Sequence, residues 1–335
     1  MIIPANVILE VSALCNLSCL GCALHGPCGF VKRPFGNMKK EVWEPVIKEM
    51  ASWGKDVELT AHGGGEPLLN PQFRDILQFA ATFPSIRTGF LANGMLLNES
   101  WADFIINIKL NWIAVSIDGT DPETHDMIRK GSDLVRVENN LETLLRMKKE
   151  KKSSFPNIKL NMVAYDQIFD QQESFVEKWI DKVDSVMVSH YRNPPQSKRW
   201  PDITVERKPC PLLWSQAVVA WDGRLGLCCE DFNIDHSPGK VGLIDHSPYQ
   251  VGHPPGKGVQ VNSLLELWNG KEMSRIRELH TNGEYDSHPM CRVCDSWAEE
   301  YSRCELPHDK GYEVIKTPSQ KVYSRRASFD QPKGI

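Results

Sequence analysis

Val7-Ile8-Leu9-Glu10-Val11-Ser12-Ala13-Leu14-Cys15-Asn16-Leu17-Ser18-Cys19-Leu20-Gly21-Cys22 sets a short apolar run directly against three cysteines spaced C-x3-C-x2-C. The run Val7–Ser12 reads as a strand, and the cysteines as the tight loop that leaves its C-terminal end. Three thiolates on one such loop can bind three irons of a cubane, leaving the fourth iron open to another ligand. A zinc loop short of its fourth ligand has the same spacing, although structural zinc is normally closed by four ligands.

Working outward, short β-branched runs alternate with longer helical patterns up to about residue 190. Further strands are expected at Val57–His62, Ile86–Ala92, Trp112–Ile117, Ile158–Val163 and Ser185–Ser189, with helices such as Lys39–Trp53, Pro71–Ala81 and Val135–Lys149 between them. Six strand–helix units in series argue a parallel sheet with right-handed crossovers. Eight would close a full barrel, so the expected fold class is α/β, a partial (β/α)6 TIM-type barrel. After Asn193-Pro194-Pro195 the rhythm stops and Pro, Gly, Trp and Cys become frequent. The expected domains are therefore 1–195, the barrel, and 196–310, a small α+β cysteine-rich unit. The latter holds a hairpin around Trp221-Asp222-Gly223-Arg224 and a helix over Ser263–His280. Residues 311–335, where basic residues gather, read as a flexible tail.

Each expected strand ends in a loop with chemistry in it. Gly63-Gly64-Gly65-Glu66-Pro67 follows the second strand, where glycines let the backbone approach a ligand and a carboxylate can meet an ammonium group. Ala92-Asn93-Gly94 follows the third. Ser116-Ile117-Asp118-Gly119 follows the fourth, with Ser116 and Asp118 on one face by the two-residue period. Loops at the C-terminal ends of successive strands converge on one mouth, the face on which (β/α) barrels build active sites.

The cysteine stretch and these loops together resemble the radical S-adenosylmethionine (SAM) superfamily. The resemblance implies that Cys15, Cys19 and Cys22 hold a 4Fe–4S cluster whose open iron chelates SAM. It also implies that SAM is cleaved by one electron to a radical that takes hydrogen from a substrate carbon. Gly64, Gly65 and Glu66 are similar to the family's GGE motif, Asn93 to its TNG element, and Arg129 to the arginine that meets the SAM carboxylate. Ser116 and Asp118 suit the ribose hydroxyls. The residue before the third cysteine is often aromatic in this family and touches adenine. Here it is Gly21, so the adenine is expected to be held by other groups, the backbone near Leu24 among them.

A second cysteine set comprises Cys210, Cys228, Cys229, Cys291, Cys294 and Cys304. With Gly223 five residues before Cys228 and a C-x2-C at Cys291–Cys294, it resembles the SPASM/twitch extension of radical SAM enzymes. That implies one auxiliary 4Fe–4S cluster closed by Cys210, Cys228, Cys291 and Cys294. A zinc ribbon built from the same four residues, and Cys229 in place of Cys228, remain alternatives. Cys28 and Cys304 read as free thiols.

A net charge of −4 gives no electrostatic case for a nucleic-acid partner. No apolar run approaches the ~20 residues of a membrane helix, and the first residues lack the features of a signal peptide. Ten cysteines in such a chain fit metal ligands in the reducing cytoplasm better than disulfides. The resemblance adds a low-potential electron donor, such as flavodoxin or ferredoxin, as partner. His190 and Tyr191 at the end of the sixth strand, and His62 at the end of the second, are the candidates for contact with substrate. Glu230 and Asp231 are candidate proton acceptors. Three functions compete: oxidation of a small hydroxylated or sugar-like metabolite, maturation of a ribosomal peptide, and a non-catalytic zinc or iron scaffold.

Overall fold

Alternating strands and helices order the first part of the chain: β1 (Asn6–Leu9), α1 (Lys40–Ala51), β2 (Val57–Thr60), α2 (Phe73–Ala80), β3 (Ile86–Ala92), α3 (Glu99–Asn107), β4 (Trp112–Ser116), α4 (Pro122–Ile128), α5 (Leu134–Glu150), β5 (Asn157–Ala164), α6 (Gln172–Trp179) and β6 (Ser185–His190). The computed structural model describes residues 1–191, 203, 205–243, 261–307, 310 and 312–325. Helix starts follow their capping residues. The side chains of Asn98, Asp121 and Asp133 accept hydrogen bonds from the backbone N–H groups of Trp101, Thr124 and Arg136.

Strands β1 to β6 pair in parallel, in sequence order. Along β5 the pleat separates two environments. Ile158, Leu160 and Met162 are fully buried, whereas Lys159, Asn161 and Val163 on the other face are half-buried. Residues of the first kind meet the helices in one continuous apolar core with, among others, Leu141, Leu144 and Phe175. The other face carries polar groups because an incomplete barrel leaves its inner side open. This is the expected partial barrel, with strand boundaries within three residues of those read from the sequence.

The remainder contains α7 (Leu212–Ser215), β7 (Gln216–Val219), β8 (Arg224–Gly226), β9 (Gly239–Lys240), β10 (Gly242–Leu243), β11 (Val261–Asn262), α8 (Leu264–Trp268), α9 (Lys271–Thr281), α10 (Pro289–Val293), β12 (Cys304–Pro307), β13 (Tyr312–Lys316) and β14 (Gln320–Arg325). The structure adds one relation and changes two expectations. First, β7 pairs in parallel with β1, from Asn6↔Gln216 to Leu9↔Val219. The cysteine-rich unit therefore continues the barrel sheet. Second, the helix expected over Ser263–His280 is two helices, α8 and α9, broken at Asn269-Gly270. Third, residues 312–325 of the expected flexible tail form β13 and β14, and β14 pairs antiparallel with β6. Among the described residues a 12-stranded sheet results, in the order β12-β13-β14-β6-β5-β4-β3-β2-β1-β7-β8-β9. The proposed boundary near residue 195 and residues 326–335 lie outside the described residues.

Side chains lock the two parts together. The Glu49 carboxylate on α1 accepts from the N–H groups of Leu264 (2.8 Å) and Leu265 (2.8 Å), capping α8. Buried Arg277 on α9 donates to the carbonyls of Leu213 (2.8 Å) and Trp268 (2.7 Å).

Candidate active site

The loop after β1 is bound on two sides by backbone. Ser18 and Leu20 donate to the carbonyls of Lys130 and Ile128 at 2.9 and 2.8 Å, and Cys22 donates to the Cys19 carbonyl at 3.1 Å. Cys15, Cys19 and Cys22 are all half-buried on this turn. The Leu17 and His25 N–H groups point at the sulfurs of Cys15 (3.4 Å) and Cys22 (3.3 Å). Burial pushes the Cys15 thiol up to about 11, and raises that of Cys19 against the opposing pull of Arg129. Bare thiolates are thus disfavoured here, and each of these two thiols feels the charge of its neighbours. A bound cationic iron reverses that preference. Three soft donors on a backbone-pinned turn suit a cubane that takes three protein ligands.

The GGGE loop approaches this turn as closely as backbone allows. Glu66 N–H donates to the Leu14 carbonyl at 2.8 Å. A Cβ on Gly65 would lie 2.2 Å from the same oxygen, so only glycine fits. Leu24 packs its methyl against Gly64. Glu66 is 2% exposed, and its two oxygens accept from Leu68 N–H (3.2 Å) and Asn93 N–H (2.8 Å). Burial raises its carboxyl to about 7 despite those bonds. Asn93 in turn donates to the Asn16 side chain at 2.9 Å. Glu66 and Asn93 therefore brace the loops after β2 and β3 against the cysteine turn, a role the motif reading did not assign them.

Asp118 and Arg129 form a buried pair at 2.8 Å. Asp118 accepts from Val163 N–H at 2.7 Å as well, and its own N–H donates to the His125 ring at 3.2 Å. Its carboxylate is thus committed to aiming Arg129, whose charge reaches Cys19. Ser116 closes β4 and is 5% exposed. Below these loops Glu10 and Arg33 make a two-pronged pair in which Arg33 Nη1 donates to Glu10 Oε2 at 2.8 Å. Glu10 also accepts from Gly64 N–H (3.0 Å) and Trp221 N–H (3.2 Å).

The substrate candidates separate. His190 shares the face of Val186 and Val188, which are buried on the helix side, and its backbone N–H donates to Ser319 at 2.7 Å. It does not share the inner face with Ser189. His62 is held neutral, with its ring pushed down to about 4 by burial, and its Nδ1 has no partner among the described residues. Tyr191 stacks on Tyr165, with ring centroids 4.7 Å apart and 30° between planes. Tyr165, absent from the sequence reading, follows β5 by one residue, and the charges of Cys19, Asp118 and Arg129 all act on its phenol. A rule that inspects the first residue after each strand would have found it.

The second cysteine set closes a small apolar cavity. Cys210, Cys228, Cys291 and Cys294 line it with Leu213, Leu227 and Met290; Cys229 is not among its lining residues. Burial pushes Cys210 up to about 12 and Cys291 to about 11, and raises Cys228 well above the ordinary thiol range. The same electrostatic reversal by bound iron applies. Arg207 donates to the Cys291 carbonyl, and the His280 ring accepts from Cys210 N–H at 3.0 Å. Glu230 also borders the cavity and accepts from Ser296. Asp231 is 4% exposed and accepts from the N–H groups of Leu227, Asp235 and His236, which makes it a turn brace.

A cysteine turn after β1 of a parallel partial barrel and a second, cysteine-lined cavity are the soft-donor sites of this α/β protein; among the described residues no three such side chains yet stand within reach of one ion, and the sequence profiles supply the assignment. Residues 9–178 match the profile of the radical SAM superfamily, and residues 210–295 that of the SPASM iron–sulfur cluster-binding domain; the chain belongs to the radical SAM superfamily. Membership brings SAM and a 4Fe–4S cluster, and the second match brings auxiliary iron–sulfur in preference to a zinc ribbon.

The AdoMet-dependent heme synthase of Methanosarcina barkeri is 31% identical over 126 residues, 38% of this chain and 34% of that protein. The cysteine-type anaerobic sulfatase-maturating enzyme of Clostridium novyi is 30% identical over 159 residues, 43% and 41% of the two chains. The chain spans about half or less of the length of these curated relatives. Among solved structures, SuiB of Streptococcus suis bound to the precursor peptide SuiA aligns with a TM-score of 0.62 at 15% identity, over 88% of this chain and 72% of SuiB. BtrN in complex with AdoMet and 2-DOIA aligns with a TM-score of 0.53 at 16% identity, over 88% and 93%. These two likenesses are of fold. No helix among the described residues is long and apolar enough to cross a membrane.

Proposed function

We propose that this chain oxidises a C–H bond of a small hydroxylated or sugar-like metabolite. SAM would be bound at a 4Fe–4S cluster on Cys15, Cys19 and Cys22, and the surplus electron taken by a second cluster on Cys210, Cys228, Cys291 and Cys294. When bound, these groups supply reductive cleavage of SAM to a hydrogen-abstracting radical and a nearby electron acceptor. The chain's own residues bind and orient. Arg129, held by Asp118, offers a guanidinium to the SAM carboxylate. The glycine loop and Leu24 form the wall opposite, and Glu66 and Asn93 keep that wall seated on the cysteine turn. The half-buried inner face of β5 and β6 toward their C-terminal ends, with Asn161, Met187 and Ser189, offers a partly polar surface on which a hydroxylated substrate can rest.

The observation that carries the oxidative reading is the cavity with four cysteines. A cluster with four protein ligands has no vacant iron for substrate, which favours transfer of an electron. The test is anaerobic turnover with deuterated amino-sugars and alcohols. Deuterium in 5′-deoxyadenosine, with a product two hydrogens lighter, supports the proposal. A redox-neutral product overturns the oxidation, and no 5′-deoxyadenosine at all leaves only the scaffold reading. A peptide or protein substrate is the second reading, favoured by the relative that matures sulfatases. Turnover of a precursor peptide, with none of the small alcohols, would select it.

A further inference from the structure

Position 21 precedes the third cysteine of the turn and carries no side chain. The space that a side chain there would fill is taken. An ideal Cβ on Gly21 would lie 2.3 Å from Tyr191 Cε2, 3.0 Å from Tyr191 Cδ2 and 2.5 Å from Tyr165 Oη. Two rings from the far side of the barrel therefore occupy the volume that residue 21 gives up.

Their placement follows from the sheet. Val163↔Ser189 and Ala164↔His190 are in parallel register, so the next residues, Tyr165 and Tyr191, emerge side by side. They stack at 4.7 Å. The inner ring is fixed, since Tyr165 is 7% exposed, and its phenol lies within the influence of Cys19, Asp118 and Arg129. The outer ring is open, since Tyr191 is 38% exposed. An aromatic face that is rigid on one side, open on the other, and beside the cysteine turn is suited to stacking on a flat heteroaromatic ring.

We infer that Tyr191, seated on Tyr165, is the stacking platform for the adenine of SAM, and that glycine at position 21 is its steric complement. This rests on the proposed SAM site. The platform thus comes from the ends of β5 and β6 and not from the cysteine loop, so adenine affinity depends on the register of those two strands. Tyr191 is a binding residue in this scheme and takes no proton or electron.

The test uses the full chain, anaerobically loaded with iron and matched for iron content, and measures SAM affinity by equilibrium dialysis. Tyr191→Ala is expected to weaken SAM about tenfold, in the range of single aromatic–base stacks. Tyr191→Leu, which keeps bulk without a π-face, should weaken it similarly, and Tyr191→Phe should recover most of the loss. S-methylmethionine carries the amino-acid half of SAM and no adenosine. Its perturbation of the reduced cluster's spin signal should survive in Tyr191→Ala. Gly21→Phe alone should bind SAM poorly, because its side chain collides with Tyr191 and with the Tyr165 hydroxyl. Gly21→Phe combined with Tyr191→Ala and Tyr165→Phe, which removes both obstacles to a side chain at position 21, should return to within about threefold of the parent, with the ring supplied from the other side. Unchanged SAM affinity in Tyr191→Ala and Tyr191→Leu overturns the inference, as does equal weakening of S-methylmethionine or a triple variant no better than Gly21→Phe alone. If the parent cleaves SAM in the same preparations, those results leave the SAM site itself standing. If the parent binds no SAM at all, both readings fall.

Discussion

His125 is fully buried on α4 and accepts a hydrogen bond from Asp118 N–H through Nδ1. Burial, aided by the nearby charge of Arg129, pushes its ring down to about 4 from an ordinary 6.5. The unfolded chain therefore takes up a proton near pH 6.5 that the folded one refuses until about pH 4. The stability contributed is fully present above pH 6.5 and is lost as pH falls toward 4, by up to about 3 kcal/mol for this group. Thermal midpoints from pH 7 to pH 4.5 should fall less steeply in His125→Asn, which keeps an acceptor for the same N–H and cannot titrate. At this scale the cysteines were readable because spacing alone encodes a three-point site. Glu66 and Asp118 do follow β2 and β4, as the sequence placed them, but their partners, the backbone amides of Asn93 and Val163, leave no mark in composition, nor does the pairing that turns Asp118 toward Arg129. Tyr165 was missed because one aromatic in a strand–loop junction has no motif of its own.

Among the elements, the six barrel strands declared themselves through β-branched runs between helical stretches, and their observed edges shift by no more than three residues. The break between α8 and α9 was hidden because the apolar spacing carries across Gly270 while the backbone does not; Gly270 N-caps the second helix with φ −70° and ψ 173°. The misread tail has a similar cause. Lysines and arginines between 316 and 333 suggested solvation, yet Tyr312-Glu313-Val314-Ile315-Lys316 and Gln320-Lys321-Val322-Tyr323-Ser324-Arg325 flank the turn-forming Thr317-Pro318-Ser319. Edge and near-edge strands tolerate such charge. Val322 sits opposite Met187 of β6 and Ile315 of β13. Val322→Pro takes a backbone donor out of a strand flanked on both sides and should cost roughly 1–3 kcal/mol. Hydrogen exchange should then quicken at the amides of β6, while those of β2 and β3 stay protected. Equal protection across β6 in the variant would show that β14 is only loosely attached.

For the molecule as a whole, the two cysteine sets lie in separately matched segments, residues 9–178 and 210–295, so although the segments share one sheet the ligands of one cluster can be removed without touching those of the other. With both centres cubanes, iron analysis should give about eight irons per chain. Cys294→Ala should lower this to about four, keep SAM-dependent release of methionine, and abolish product formation. Retained product would remove the auxiliary centre from the reaction, and loss of all iron would mean that the two halves fold only together.

The pairing of β1 with β7 also has a consequence in time. Asn6 meets Gln216 across that ladder, so during synthesis β1 waits for a neighbour encoded some 210 residues later. At ordinary synthesis rates of about 5–20 residues per second, the interval is roughly 10–40 s. During it, one flank of the opening strand, next to three free thiols, has no ladder of its own. Newly made chains are thus most vulnerable to oxygen and to wrong pairing before the cysteine-rich half has been translated.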